Sequence, residues 1–214
     1  MKNQVIDLIS RHKIIVIVRG IKKEQILPTA QALYEGGIRL IEVTFDQTGK
    51  IPAADTQAMI ATIAKEFEGR ICPGAGTVMN AQQVRLAAEA GAKYIISPDT
   101  NEEVIKESVR LGLVSIPSAL TPTEASFAHR CGADFVKMFP AGDLGLSYIK
   151  SVRAPLAHIK MLAVGGVDEK NMMDFIGAGI CGVGIGSGIV KKNLIDAGEY
   201  EKLTQLAKTY TDQL

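Results

Sequence analysis

The sequence contains no tryptophan, and aromatic residues fill only 5% of its 214 positions. Platforms on which single-stranded nucleic-acid bases could stack are therefore scarce. Neither sign of charge is in excess, with 24 Lys and Arg against 23 Asp and Glu. So even a balance supplies no field to recruit nucleic acid or an anionic membrane. Long apolar runs are missing too, none reaching the roughly 18 residues of a membrane span. Met1-Lys2-Asn3-Gln4 leads into an amphipathic stretch and not into the apolar core of a secretory leader. Cys72, Cys131 and Cys181 are odd in number, far apart and outside any CxxC spacing. That pattern suggests neither a disulfide framework nor a zinc site. His12, His129 and His158 are scattered and form no metal-ligand spacing. The expectation is a cytoplasmic protein with no metal, no cofactor, and no nucleic-acid or membrane partner.

What the chain does have is alternation. Apolar, strand-like runs at 14–19, 39–45, 71–77, 94–97, 114–117, 135–139, 161–164 and 182–186 are separated by segments of helical period. The helical pattern is clearest at 25–35, 55–67, 81–90, 102–111, 123–130 and 171–176. Eight strands in this length are spaced by roughly 27 residues, near the minimum for a strand–helix unit. Gly36-Gly37, Gly69, Gly91, Gly112, Gly132 and Gly179 fall just before the next strand, where a helix-closing glycine belongs. Thr121-Pro122-Thr123-Glu124 and Ser97-Pro98-Asp99-Thr100 read as helix openings. Apolar strands alternating with helices imply a parallel sheet covered on both faces. Eight units favour a closed (β/α)8 barrel over residues 1–214 as one domain, the alternative being an open doubly wound sheet. Residues 2–12 add an N-terminal helix, and 199–214 form the closing one.

Lys137 stands alone in the apolar run Phe135-Val136-Lys137-Met138-Phe139-Pro140. An ammonium buried there without a partner would cost several kcal/mol. Burial lowers the pKa of such a lysine, and the neutral amine is a nucleophile toward carbonyls. The plainer reading is a buried stem whose head reaches the strand end. Glu42 mirrors it inside Leu40-Ile41-Glu42-Val43-Thr44-Phe45. The two explain each other equally well as a neutralising pair or as nucleophile and proton shuttle.

In a barrel the chemistry gathers at the C-terminal strand ends. Arg19 closes the first strand as a fixed cation suited to a carboxylate. Gly74-Ala75-Gly76-Thr77 closes the third, Ser97-Pro98 the fourth, Gly165-Gly166 the seventh and Gly186-Ser187 the eighth. The last two loops stand where barrels of this type commonly hold phosphate, with a short helix expected at 189–192. Together these groups describe Schiff-base chemistry on a 2-oxo acid bearing a distal phosphate.

The same residues, in order along most of the chain, resemble the aldolases of 2-keto-3-deoxy-6-phosphogluconate (KDPG) and 4-hydroxy-2-oxoglutarate (KHG). The carrying motifs are Gly36-Gly37-Ile38-Arg39-Leu40-Ile41-Glu42-Val43-Thr44, Gly74-Ala75-Gly76-Thr77-Val78, Val136-Lys137-Met138-Phe139-Pro140, Val164-Gly165-Gly166-Val167 and Gly184-Ile185-Gly186-Ser187. The resemblance implies that Lys137 forms the imine and that Glu42 moves protons. It implies that Arg19 and Thr77 hold the pyruvate carboxylate, with Phe139 and Pro98 lining the pocket. Gly165, Gly166, Gly186 and Ser187 would receive the phosphate of a small 2-oxo acid substrate. A homotrimer is implied by likeness alone.

Three positions depart from the family pattern. Asp46 replaces a common arginine, and an inward Asp46 would repel an anionic substrate. Pro117-Ser118 replaces proline–glycine and adds a hydroxyl near the pocket. Val164 replaces a threonine, as in members acting on the galactonate epimer (KDPGal). Cleavage of the gluconate to pyruvate and glyceraldehyde 3-phosphate is the expected activity. Its rivals are galactonate-type cleavage, cleavage of 4-hydroxy-2-oxoglutarate, an isomerase on a phosphorylated sugar derivative, and a non-catalytic phosphate-binding barrel.

Overall fold

Along the strands, inward and outward side chains alternate, and that alternation decides which polar groups enter the interior. The computed structural model describes residues 2–214. Nine strand segments are found: β1 Ile14–Val18, β2 Leu40–Thr44, β3 Cys72–Gly76, β4 Tyr94–Ile96, β5 Val114–Ile116, β6 Ser118–Ala119, β7 Val136–Met138, β8 Met161–Val164 and β9 Gly182–Ile185. All pair in parallel, in the order β5-β4-β3-β2-β1-β9-β8-β7-β6.

The ends of that order, β5 and β6, are consecutive pieces of one stretch interrupted at Pro117. Proline cannot donate to the ladder, so the strand expected over 114–117 breaks there and resumes. The Phe135 amide still donates to Ser115 O and the Lys137 amide to Pro117 O, which carries the bonding round to β7. The sheet is thus closed as an eight-fold barrel, and the open-sheet alternative fails.

Ten helices accompany the strands: α1 Lys2–His12, α2 Ile26–Glu35, α3 Ala53–Glu66, α4 Ala81–Glu89, α5 Glu102–Arg110, α6 Pro122–Arg130, α7 Ala141–Arg153, α8 Met172–Gly177, α9 Lys192–Asp196 and α10 Tyr200–Thr211. Five of the expected glycine closures share one geometry. The amides of Ile38, Ala92, Leu113, Ala133 and Ile180 each donate back to a carbonyl five residues earlier, across Gly37, Gly91, Gly112, Gly132 and Gly179 at positive φ.

Two expected helix openings fare differently. Thr121 and Glu124 form a reciprocal capping box at α6. At α5 the cap is Asn101, whose side chain accepts from the Glu103 and Val104 amides; the motif 97–100 lies before it. The short helix expected at 189–192 is also corrected. Residues 187–189 form a turn, and α9 opens only at Lys192.

The apolar residues divide into two layers. Ile14, Val16, Val18, Ile41 and Val43 face the helices. Ile15, Leu40, Cys72, Tyr94, Ile116, Phe135 and Leu162 fill the barrel, and α1 plugs its N-terminal end with Val5 and Ile9. Since Leu40 and Phe135 point inward, the two-residue period also turns Glu42 and Lys137 into the interior.

Candidate active site

Glu42 and Lys137, at 3% and 8% exposed, are the carboxylate and the amine buried within the strands. Glu42 lies level with Ile17 on one side and Gly74 on the other. Lys137 lies between Ser118 and Leu162. Two glycines of β3 make the room. A Cβ on Gly74 would strike the ring of Tyr94, and one on Gly76 would stand 1.6 Å from Glu42 Oε1.

The heads of Glu42 and Lys137 do not form one of the eight ion pairs among the described residues. The neutralising-pair reading therefore lacks its contact. Their fields still reach each other. Burial is the main influence on both, pushing the Glu42 carboxyl up and the Lys137 amine down. Each charge partly opposes that shift in its partner. Arg19 acts third: it pulls the Glu42 carboxyl down and pushes Lys137 further toward the neutral amine.

Arg19 is exposed at the mouth, and its Nη2 donates to Thr77 Oγ1 at 2.8 Å. Thr77 holds a left-handed φ of 54°, a conformation that costs a threonine about 1–3 kcal/mol. Gln47 Nε2 donates to its carbonyl at 2.9 Å and the Val78 amide donates to Ile96 O, so the residue is pinned on both sides.

Lys137 Nζ sits 4.8 Å from the centroid of the exposed Phe139 ring. That ring packs on Gly165, where a Cβ would approach it to 2.9 Å. Gly165 and Gly166 have φ of 82° and 69°, and they abut Gly142, whose amide donates to Gly165 O at 2.7 Å. Close approach to the first turn of α7 thus requires both glycines, whatever they bind. Val164 lies against Gly184, where a Cβ would meet its methyl at 2.8 Å.

Arg19, Gly186 and Ser187 line a cleft of about 320 Å³ with Ile17 and Val190. Ser187 and Gly166 also border a second cleft of about 510 Å³, which carries Lys191 and Asp168. Pro98 is half-buried just past β4.

Two departures lose the roles considered for them. Asp46 accepts from the amides of Thr48, Lys50 and Ile51 and from the Thr48 hydroxyl. Those bonds hold its carboxyl down at about 2 and tie it to its own loop. The Ser118 hydroxyl is buried and donates to Ser97 O at 2.6 Å, bracing β4 against the broken strand.

Gln47 and Gly142 escaped the sequence reading. A glutamine in a polar loop carries no signal, whereas Gly142 two residues after Pro140 could have been read as a close-approach position.

Comparison with known proteins identifies relatives of the whole chain. The family model described as KDPG and KHG aldolase matches residues 5–206. The chain is 36% identical to a probable 2-dehydro-3-deoxy-6-phosphogalactonate aldolase of Rhizobium meliloti (strain 1021), over 85% of this chain and 83% of that protein. It is 32% identical to the KHG/KDPG aldolase of Escherichia coli (strain K12), over 91% and 87%. The crystal structure of KDPG aldolase from Legionella pneumophila, with pyruvate captured as a covalent carbinolamine intermediate, superposes with a TM-score of 0.86. It is 25% identical, with 98% of each chain covered.

Proposed function

The chain belongs to the KDPG and KHG aldolase family, and on that footing we propose that it is a class I aldolase. It cleaves 2-dehydro-3-deoxy-6-phosphogluconate reversibly to pyruvate and glyceraldehyde 3-phosphate. The observation that carries the reading is an inward lysine without an ion-pair partner, its charge disfavoured by burial and by Arg19.

Neutral Lys137 Nζ attacks C2 of the 2-oxo acid, and the carbonyl oxygen leaves as water to give a protonated imine. Glu42, acting through water, takes the C4 hydroxyl proton. The C3–C4 bond breaks, its electrons pass to the imine as an enamine, and the aldehyde departs. Glu42 returns a proton to C3, and water then releases pyruvate and the free lysine. Arg19 and Thr77 hold the C1 carboxylate, while Phe139 and Pro98 line the imine pocket. Gly165, Gly166, Gly186 and Ser187 take the phosphate.

Family likeness supports a homotrimer. It equally supports a cytoplasmic location, and among the described residues no helix is long and apolar enough to cross a membrane. The test is pyruvate release from the phosphorylated gluconate substrate. Lys137→Ala should abolish it, and full activity in that variant would end the proposal.

A second reading, preference for the galactonate epimer, is favoured by Val164 and by the Rhizobium relative. Valine brings no hydroxyl to read the sugar chain, and such a contact is worth about 0.5–1.5 kcal/mol. Comparing kcat/KM for the two phosphorylated epimers decides between them, and equal values would exclude stereospecificity of either kind.

A further inference from the structure

At the opposite, N-terminal end of the barrel lies another cavity, of about 460 Å³. Four basic side chains line it: His12 at the end of α1, Arg39 before β2, Arg70 before β3 and Lys93 before β4. Three successive strands are thus entered past a cation. Glu68 is the one carboxylate on the wall, and none of these groups takes part in an ion pair among the described residues.

The cations are held by other means. Arg39 lies 4.3 Å over the Tyr34 ring, and its Nη1 donates to the carbonyls of Tyr34 and Ile38. Arg70 stacks 4.8 Å from Phe67 and donates to Glu66 O. Lys93 makes no side-chain hydrogen bond among the described residues. Like charges gathered around one carboxylate that pairs with none of them repel, and an anion between them would relieve the repulsion.

We propose that this cavity binds a small phosphorylated anion, at a site separate from the catalytic mouth. Its volume falls in the range of small-molecule sites, and guanidinium forks suit phosphate oxygens. Burial first, and then the charges of Arg39 and Arg11, drive His12 toward its neutral form. Cys72 on the wall adds no opposing charge, because burial pushes its thiol up to about 12.

The test uses inorganic pyrophosphate as the probe and the His12 ring proton as the reporter in NMR, with His129 and His158 as internal controls. Pyrophosphate should shift the His12 signal saturably and leave the other two in place, and chloride at equal ionic strength should not. Lys93→Gln and Arg70→Gln should each weaken the response about tenfold while leaving pyruvate release intact. Ser187→Asp, at the other end of the barrel, should leave the His12 titration unchanged. The proposal is overturned by no saturable shift, by an equal effect of chloride, by indifference to both basic-residue variants, or by loss of the shift in Ser187→Asp.

Discussion

Gly76 and Glu42 face each other across adjacent strands so closely that a single methyl on Gly76 would stand 1.6 Å from the carboxylate oxygen. The missing side chain of one residue is therefore the space occupied by the functional group of the other. Gly76→Ala should displace the carboxylate, since a flexible side-chain end yields before backbone does. Turnover is expected to drop about 10²-fold or more, as for loss of a proton shuttle. Unfolding should change by only about 1–3 kcal/mol. A thermal melt beside steady-state kinetics separates the two, and unchanged kcat would refute the placement.

Lys137 responds to two neighbours of opposite sign. The carboxylate of Glu42 favours its ammonium, and the guanidinium of Arg19 favours its neutral amine. Imine formation needs the neutral form, so its rate falls on the acid side as Lys137 takes up a proton. Glu42→Gln should move that limb to lower pH while reducing turnover about 10²–10⁴-fold. Arg19→Gln should move the limb to higher pH and raise the KM for pyruvate. Measuring pyruvate trapping against pH for both variants tests the signs, and shifts in the same direction would contradict the arrangement.

Hydrogen bonds from Thr48, Lys50 and Ile51 tie Asp46 to its own loop. Asp46→Ala should expose the amides of Thr48, Lys50 and Ile51 to fast hydrogen exchange and should not improve pyruvate binding. Because its carboxyl titrates at about 2, the loop bonds present at neutral pH should persist below the usual carboxylate range of about 4. They should be lost only as the pH falls through about 2. Tighter pyruvate binding in the alanine variant would restore the repulsion idea.

Ser187 borders both clefts at the barrel mouth. Ser187→Asp should raise KM for phosphorylated substrates far more than for 4-hydroxy-2-oxoglutarate, because only the former bring a phosphate against the new charge. Parallel increases would place the phosphate elsewhere.

Most of the barrel could be read from the chain because its continuous apolar strands and glycine-closed helices repeat a single unit. The closure at Pro117 could not, since two short strand pieces look like one run. Helix α7 was also hard to see: Gly142 and Gly145 interrupt its pattern, and Gly145 is non-helical at φ 78°. Within the site, Lys137 and Glu42 announced themselves as charges in apolar strands. The latch from Gln47 to Thr77 did not, because a left-handed threonine is set by tertiary contacts and leaves no local signature.

The mechanism turns on one nitrogen. Incubation with pyruvate, reduction with borohydride and peptide mapping should place a stable adduct on Lys137 and on no other lysine, with none formed in Lys137→Ala. An adduct on a different lysine, or no adduct in the unaltered protein, would contradict the mechanism.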